Sequence, residues 1–172
     1  SMFAVNDTVV YGVQGICVID EITKRDFGGK SEDYYVLHTV FGNNTKIFVP
    51  VGNEKLMSRM RNLLSADEVL GIIDSMSDAN FIWTDDGTER EHLYKEILLS
   101  GDRKKMLQVI KTLYTHARNQ RANGRKLHIA DEKVFREAEK VVYDEFAYVL
   151  GLKPENVLDF IKSRVEDNRV TV

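Results

Sequence analysis

Cysteine and proline are scarce in this sequence of 172 residues. Cys17 is the only cysteine, which excludes an intramolecular disulfide and a zinc site built from several cysteines. Pro50 and Pro154 are the only prolines. No apolar run approaches the roughly 18 residues that a membrane-spanning helix requires, and no basic-then-apolar signal peptide opens the sequence. We therefore expect a cytoplasmic protein.

Catalytic signatures are missing as well. The sequence contains no phosphate-binding P-loop, no Gly-x-Ser-x-Gly nucleophile motif and no His-Glu zinc motif. Cys17 lies in a hydrophobic run, where a packed thiol is more common than a nucleophile. The histidines lack the spacing of metal ligands; they are His38, His92, His116 and His128. The sequence thus favours a binding protein that needs no cofactor and no metal.

The first 50 residues have the pattern of short β-strands. Runs rich in β-branched and aromatic residues occupy positions 8–11, 16–19, 34–40 and 46–49. The turn signals Gly28-Gly29 and Gly42-Asn43-Asn44 are typical of hairpins. One further short strand fits into residues 53–64. Strands at this spacing predict a small antiparallel barrel of the SH3 or Tudor type.

After Pro50 the apolar residues follow a helical period. Capping boxes at Ser65–Glu68 and at residues 88–91 predict two helix starts. Three further starts are expected at Asp102, Asp131 and Pro154, and three helix ends at Gly101, Asn123-Gly124 and Gly151. The second part is therefore predicted to be an α-helical bundle. The expected fold class is α+β, with domains at residues 1–76 and 77–172.

A basic segment interrupts an acidic chain. Residues 101–126 contain eight basic residues and one acidic residue, a net charge of +7, while the whole chain carries −3. Lys104, Lys111 and Arg118 recur every seven residues, so they form one stripe along a helix. Arg125 and Lys126 extend the positive charge beyond the helix end. The segment is either a surface for a phosphate backbone or an ordinary solvated helix face.

Trp83 is the only tryptophan. It lies in a polar segment before a capped helix. Two interpretations remain open for it. A buried tryptophan would seal a hydrophobic core, whereas an exposed one would serve as an apolar wedge or a stacking platform for a base.

The strand region resembles a known family. Residues 10–18, Val-Tyr-Gly-Val-Gln-Gly-Ile-Cys-Val, are similar to the opening motif of the CarD/CdnL bacterial transcription regulators. This domain also resembles the polymerase-binding domain of transcription-repair coupling factor. Further similarity lies in residues 35–37, in residues 46–50, and from Trp83 to Asp102. One difference is the acidic segment Asp85-Asp86, where the family has basic residues after its tryptophan.

The resemblance implies a function and two sets of residues. In this family the amino-terminal domain binds the β subunit of RNA polymerase, and the helical domain contacts promoter DNA at the upstream edge of the melted bubble. The matching polymerase-binding region contains Lys24, Arg25, Lys46, Phe48 and Val49. Trp83 matches the family's wedge in the minor groove. With Arg90 and the basic segment, the expected DNA-binding residues are Trp83, Arg90, Lys104, Lys111, Arg118, Arg125 and Lys126.

Two other functions remain open. The helical bundle could bind another protein instead of DNA, which would make the whole chain a protein-interaction module attached to polymerase. An enzyme with an unfamiliar site is the third alternative. The basic stripe beside Trp83 separates the first two, because binding of DNA through phosphates depends on salt.

Overall fold

The chain divides into two compact units, Ser1–Leu63 and Leu64–Val172, and the computed structural model describes residues 3–170. The sequence pattern predicts this boundary at residue 76 instead. The difference arises because the helix Ala66–Asp74 (α2) packs on two helices of the second unit, Ile129–Leu150 (α5) and Val157–Val170 (α6). Its buried side chains, Val69 and Ile73, belong to the helical core.

Over residues 3–63 the first unit is an antiparallel sheet of five strands. In chain order the strands are β1 (Thr8–Tyr11), β2 (Ile16–Phe27), β3 (Lys30–Thr39), β4 (Lys46–Pro50) and β5 (Met60–Asn62). Their order in the sheet is β4-β3-β2-β1-β5, so β4 and β5 form the two edges and the sheet stays open. The predicted α+β class is confirmed, with this open sheet in the place of the expected barrel.

One face of the sheet carries the core of the unit. Tyr35 and Leu37 on β3 belong to this core and point to the same face, as the period of two in a strand requires, while Val36 between them is buried on the opposite face. A short helix, α1 (Glu54–Met57), contributes Leu56 and Met57 to the edge of this core. The buried members are Phe3, Val9, Tyr11, Cys17, Ile19, Tyr35, Leu37, Val49 and Met60.

The hairpin between β2 and β3 closes through Gly28 and Gly29. Both have positive φ, 65° and 80°, which is the backbone that a two-residue hairpin loop demands and that glycine adopts without strain. The sequence therefore predicts this turn correctly. It underestimates the length of the strands on either side. The residues of β2 beyond Ile19 are mostly polar and exposed, so this part of the strand does not show the alternation of apolar and polar residues that marks a half-buried strand.

Within residues 64–170 the second unit contains five long helices. Besides α2, α5 and α6, these are α3 (Gly87–Ser100) and α4 (Arg103–Ala122). The predicted capping box of α2 is present, with Ser65 and Glu68 bonded reciprocally. Asp102 caps α4 as predicted. Two other predicted starts are wrong.

The start of α3 lies upstream of the predicted capping box at Thr88. Asp86 caps this helix, because its carboxylate accepts hydrogen bonds from the amides of Thr88 and Glu89. The start of α5 also lies upstream of the expected residue, at Ile129 after His128. Asp131 turns inward instead of capping. It sits in the first turn of α5 as a buried carboxylate.

A buried ion pair connects three parts of the helical unit. Arg103 at the start of α4 donates from Nε and Nη2 to the two carboxylate oxygens of Glu145 on α5, at 2.9 and 3.1 Å. The same carboxylate accepts the amide of Leu64 at 2.9 Å. The Glu145 side chain is fully buried, so its charge depends on these donors for the solvation that it has lost.

Replacement of Arg103 by alanine is therefore expected to lower the free energy of unfolding by about 3–5 kcal/mol, because it leaves a buried carboxylate without its cation. Arg136→Ala is the matched control. Arg136 also contacts two carboxylates, those of Glu132 and Glu139, but its side chain is 69% exposed, so the expected loss is below about 1 kcal/mol. Urea unfolding followed by circular dichroism measures both. Equal losses in the two variants would contradict this account.

Candidate functional site

The edge strand β4 offers backbone groups to a partner. The amide of Thr39 donates to Thr45 O, and the amide of Val51 donates to Asp33 O. Hydrogen-bonded pairs alternate along an antiparallel ladder, so the odd-numbered residues of β4 bond to β3. The amide and carbonyl of Lys46 and of Phe48 consequently face away from β3, toward the open edge.

Val49 does not share this orientation. Its side chain is 0% exposed in the core, and its backbone lies in the ladder opposite Tyr35. The resemblance places Val49 among the polymerase-binding residues, but the structure leaves neither its side chain nor its amide available for a partner. Its contribution is to fix the register of β4, so that Lys46 and Phe48 lie on the other face.

Three aromatic rings form a cluster on the outer face of the sheet, beside this edge. Phe27 lies edge-to-face with Tyr34 at 5.2 Å and with Phe48 at 5.6 Å between ring centres. Phe27 is 51% exposed and Phe48 38%. Rings that pack on each other but stay half exposed present a rigid apolar area at low entropic cost. The sequence prediction includes Phe48 and misses Phe27 and Tyr34. The pairing of β2 with β3 across the hairpin places Phe27 and Tyr34 on the same face of the sheet, and this is the signal that could have identified them.

Lys24 and Arg25 lie on opposite faces of β2. Arg25 is opposite Glu32 and shares the face of Tyr34 and Phe27, whereas Lys24 is opposite Asp33 on the other face. Both side chains are exposed, and Arg25 is paired with Glu21 at 3.2 Å. Arg25 therefore belongs to the outer surface defined by the aromatic rings of Phe27, Tyr34 and Phe48, the side chain of Arg25, and the outward backbone of Lys46 and Phe48. We name it the β4 edge surface.

Trp83 is held on three sides in the helical unit. Its indole Nε1 donates to Asp85 Oδ1 at 3.0 Å. The guanidinium carbon of Arg90 lies 4.0 Å from the ring centre, and the ring of His116 lies 4.3 Å away, centre to centre. The side chain is only partly buried. Trp83 thus corresponds to neither simple interpretation, since it is a partly buried ring in a fixed orientation.

The segment that carries Trp83 is also fixed through its backbone. The amide of Ile82 donates to Thr112 Oγ1 at 2.9 Å, and the carbonyl of Ile82 accepts the Tyr94 hydroxyl at 2.7 Å. Burial raises the pKa of Tyr94, so this hydroxyl remains a donor at any physiological pH. Both supporting side chains come from other helices, which is why residues 80–84 alone give no sign of them.

Arg90 is an internal cation. It is 4% exposed and forms a two-pronged ion pair with Asp131, with Nε–Oδ1 at 2.9 Å and Nη2–Oδ2 at 2.8 Å. Its Nη1 donates to Thr84 O at 2.8 Å. The hydrogen bonds from Arg90 to Asp131 raise the pKa of Arg90 further above its usual value. The assignment of Arg90 as a DNA-contacting residue is therefore corrected. It positions the Trp83 segment against the start of α5.

Lys111 is likewise occupied within the unit. Its Nζ donates to Met76 O at 2.8 Å and to Ala79 O at 3.0 Å, and it lies 5.6 Å from the centre of the Phe81 ring. These carbonyls follow α2, where the chain leaves helical geometry and its carbonyls need donors. The predicted stripe on α4 is interrupted at its centre, which leaves Lys104 and Arg118 exposed about 21 Å apart along the helix.

Exposed cations concentrate at the carboxyl end of α4. Arg125 and Lys126 lie in the loop of residues 123–128, and both are exposed. Arg121, which the sequence prediction counted in the basic segment but did not select, is exposed beside them. Trp83 lies near the same end of the unit through its contact with His116. Together with Arg118, these side chains form a positively charged end that we name the tryptophan end.

The part of the chain that the structure describes shows no cluster of three His, Cys, Asp or Glu residues able to hold a metal ion. Within residues 3–170 no helix is long and apolar enough to cross a membrane.

An open antiparallel sheet with a free edge and exposed rings beside it defines a class of domain that binds other macromolecules through its surface. The comparison with known families gives the particular family. Residues 3–61 match the family described as CarD-like/TRCF RID domain, and the amino-terminal unit belongs to it. This confirms the resemblance. The family is one of non-catalytic domains that interact with RNA polymerase, so a role in transcription and polymerase as the partner follow at this level.

Replacement of Lys111 by methionine tests whether its role is internal. We expect Lys111→Met to lower the free energy of unfolding by about 1.5–3 kcal/mol, since it removes charge-assisted hydrogen bonds to two carbonyls. Lys104→Met is the matched control on the same helix, and an exposed substitution changes stability by about 0.5 kcal/mol or less. Chemical denaturation gives both values. If Lys111→Met is as stable as the control, the lysine is free for an external partner.

Proposed function

We propose that this protein regulates transcription by docking on the β subunit of RNA polymerase and contacting promoter DNA at the upstream edge of the melted bubble. The amino-terminal unit binds polymerase through the β4 edge surface. The helical unit contacts DNA with the tryptophan end and thereby stabilises the open complex. The β4 edge surface is the observation that carries the proposal, because it is an unoccupied strand edge in a domain of a polymerase-interacting family.

The docking mode is addition of a strand to the sheet. An extended segment of the β subunit pairs with the outward amides and carbonyls of Lys46 and Phe48, and its side chains contact the rings of Phe27 and Tyr34. Main-chain hydrogen bonds supply affinity in such complexes, while side-chain contacts on the sheet supply specificity. The exposed cations Arg25 and Lys46 lie at the rim, where charge mainly accelerates association.

Phe48→Pro separates the backbone contribution from the side-chain contribution. Proline lacks the amide hydrogen, but this amide faces away from β3, so the β3–β4 ladder persists. Phe48→Ala is the matched control, because it also lacks the ring and retains the amide. We expect Phe48→Pro to bind the β subunit about tenfold more weakly than Phe48→Ala, which corresponds to the loss of one hydrogen bond at the interface. Biolayer interferometry with immobilised β subunit measures the difference.

Equal affinities of the two variants, with melting temperatures that show both to be folded, would mean that docking does not use the β4 edge. An affinity of both variants equal to that of the wild type would remove the whole β4 edge surface from the proposal.

Contact with DNA is supported by the charge and the rigidity of the tryptophan end. Cations at Arg118, Arg121, Arg125 and Lys126 attract phosphates and release counterions. Arg90 and His116 hold the Trp83 ring before any DNA arrives, so little entropy is lost when it contacts partly unstacked bases. A ring that contacts unstacked bases but not closed duplex stabilises the melted form selectively, and this shifts the promoter-opening equilibrium.

The acidic residues after Trp83 have structural roles that reduce their conflict with DNA. Asp85 accepts the indole N–H of Trp83, and Asp86 caps α3 through two amides. The guanidinium of Arg90 lies against the same ring and offsets part of the negative charge. Asp85 and Asp86 thus help to orient Trp83 and the start of α3, while their negative charge reduces the attraction of this segment for phosphate.

Trp83→Ala is expected to lower the free energy of unfolding by only about 1–2 kcal/mol, chiefly through the lost cation–π contact with Arg90. Truncation of a fully buried tryptophan costs about 3–5 kcal/mol. The variant should still bind polymerase and should no longer prolong the lifetime of the open complex. Thermal melting and the decay of heparin-challenged open complexes give the two readouts.

Trp83→Phe is the control for this substitution, because it retains an apolar ring and loses the hydrogen bond to Asp85. We expect it to preserve most of the effect on open-complex lifetime. A wild-type lifetime in a folded Trp83→Ala variant would remove the wedge from the proposed function.

A groove in the helical unit supports a second candidate function, in which the bundle binds an acidic amphipathic segment of a partner protein. The groove has a volume of about 490 Å³ between α4, α5 and α6. Its floor is apolar, and Arg118 and Lys162 supply cations at its margin against Glu166. The salt dependence of DNA binding distinguishes the two candidate functions. If the helical unit contacts DNA, the wild-type protein should bind a promoter fragment with a steep salt dependence. If the bundle binds a partner protein instead, the wild-type protein should not bind DNA.

A further inference from the structure

We propose that Ile129 is a second apolar wedge for DNA, set between the cationic side chains of Arg121, Arg125 and Lys126. The inference rests on the proposed function, since it assigns a further contact to the same DNA-binding end. Ile129 is the first residue of α5 and is 90% exposed. The other exposed large hydrophobic side chains of residues 3–168 are at most 57% exposed.

An exposed isoleucine alone is an ordinary feature of a protein surface. Ile129 differs because it forms the wall of a basic concavity of about 670 Å³. Ala117 and Leu127 supply the rest of the apolar lining, and cations surround it. A concave surface that combines an apolar floor with several cations fits a ligand with an apolar face between anionic groups.

The cations of this concavity have no acidic partner within residues 3–168, where the ion pairs of the structure are described. None of Arg121, Arg125 and Lys126 takes part in a salt bridge there, in contrast to Arg90, Arg103 and Arg164. Glu132 is the one carboxylate of the concavity, and it is already paired with Arg136 at 2.9 Å. The positive charge is therefore available to phosphates.

Contacts through Asp131 connect the concavity to Trp83. Asp131 lies two residues after Ile129 and holds Arg90, which lies on the ring of Trp83. On α4, His116 contacts the same ring, and Arg121 follows about 1.4 helical turns later. Trp83 and Ile129 are thus connected to the same end of the unit, where α4 ends and α5 begins, although side chains two residues apart on a helix, such as Ile129 and Asp131, point to different sides. This arrangement fits the minor groove of a distorted duplex, where aliphatic side chains enter between base steps and cations contact the phosphates on either side.

The test uses the full-length protein and a fluorescein-labelled promoter fragment with a permanently mismatched bubble, titrated at several salt concentrations. We expect Ile129→Ser to weaken binding roughly tenfold, the size of effect that follows when an isoleucine side chain no longer leaves water, and to leave the slope of log K against log salt unchanged. Ile129→Leu should bind like the wild type. Leu99→Ser, on α3 and 57% exposed in the wild type, is the control for loss of an exposed apolar side chain.

A triple variant with Arg121, Arg125 and Lys126 replaced by glutamine should flatten the salt slope by up to roughly three. If it does so while Ile129→Ser binds like the wild type, the loop contacts DNA through charge alone and the wedge is wrong. If the slope of the triple variant stays unchanged, DNA binds elsewhere on the protein and the concavity is not a DNA site.

Two further outcomes would also overturn the inference. Binding to vesicles of anionic phospholipid that is tighter than binding to the fragment, and that is lost in Ile129→Ser, would assign the concavity to a lipid surface. Failure of the wild-type protein to bind the fragment at low salt would remove the proposed DNA contact and the wedge with it, whereas loss of the wedge alone leaves the salt-dependent binding of the wild type intact. Melting temperatures of all variants verify that they are folded.

Discussion

The ion pair between Arg90 and Asp131 is the interaction on which the arrangement of the tryptophan end depends. One guanidinium bonds to both oxygens of Asp131 at the start of α5, to the carbonyl of Thr84, and contacts the face of Trp83. Both side chains are 5% exposed, so neither has solvent as an alternative partner. A buried pair with complete hydrogen bonding is rigid, because any displacement leaves an uncompensated charge. The position of Trp83 follows from that rigidity.

The protein divides its cations between internal and external use. Arg90, Arg103 and Lys111 satisfy buried carboxylates or helix-end carbonyls and fix α3, α4 and α5 relative to each other. The cations near the carboxyl end of α4 remain exposed and give the tryptophan end its positive charge. The amino-terminal unit presents a different chemistry, with a strand edge and half-exposed rings. The two surfaces therefore offer different chemistry to a partner.

Sequence patterns predicted the elements well wherever the cause is local. The strands of the sheet, the capping box of Ser65, and the helix ends at Gly101 and Gly151 are all present. Prediction failed where two local candidates competed. Asp86 and Thr88 can both cap α3, and it is Asp86 that accepts the amides of Thr88 and Glu89. Asp131 has the composition of a cap, but the attraction of Arg90, 41 residues earlier in the chain, turns it into the interior.

The sequence by itself determined the fold class, the family of the first unit and the location of the positive charge. Periodicity, turn glycines and caps act within a few residues, so they can be read without coordinates. The tertiary structure alone decided which cations are exposed, because a lysine such as Lys111 looks the same in the sequence whether it faces water or the carbonyls of Met76 and Ala79. It also decided that Trp83 is partly buried and fixed, and that Ile129 is exposed among cations, since both depend on contacts between helices far apart in the chain.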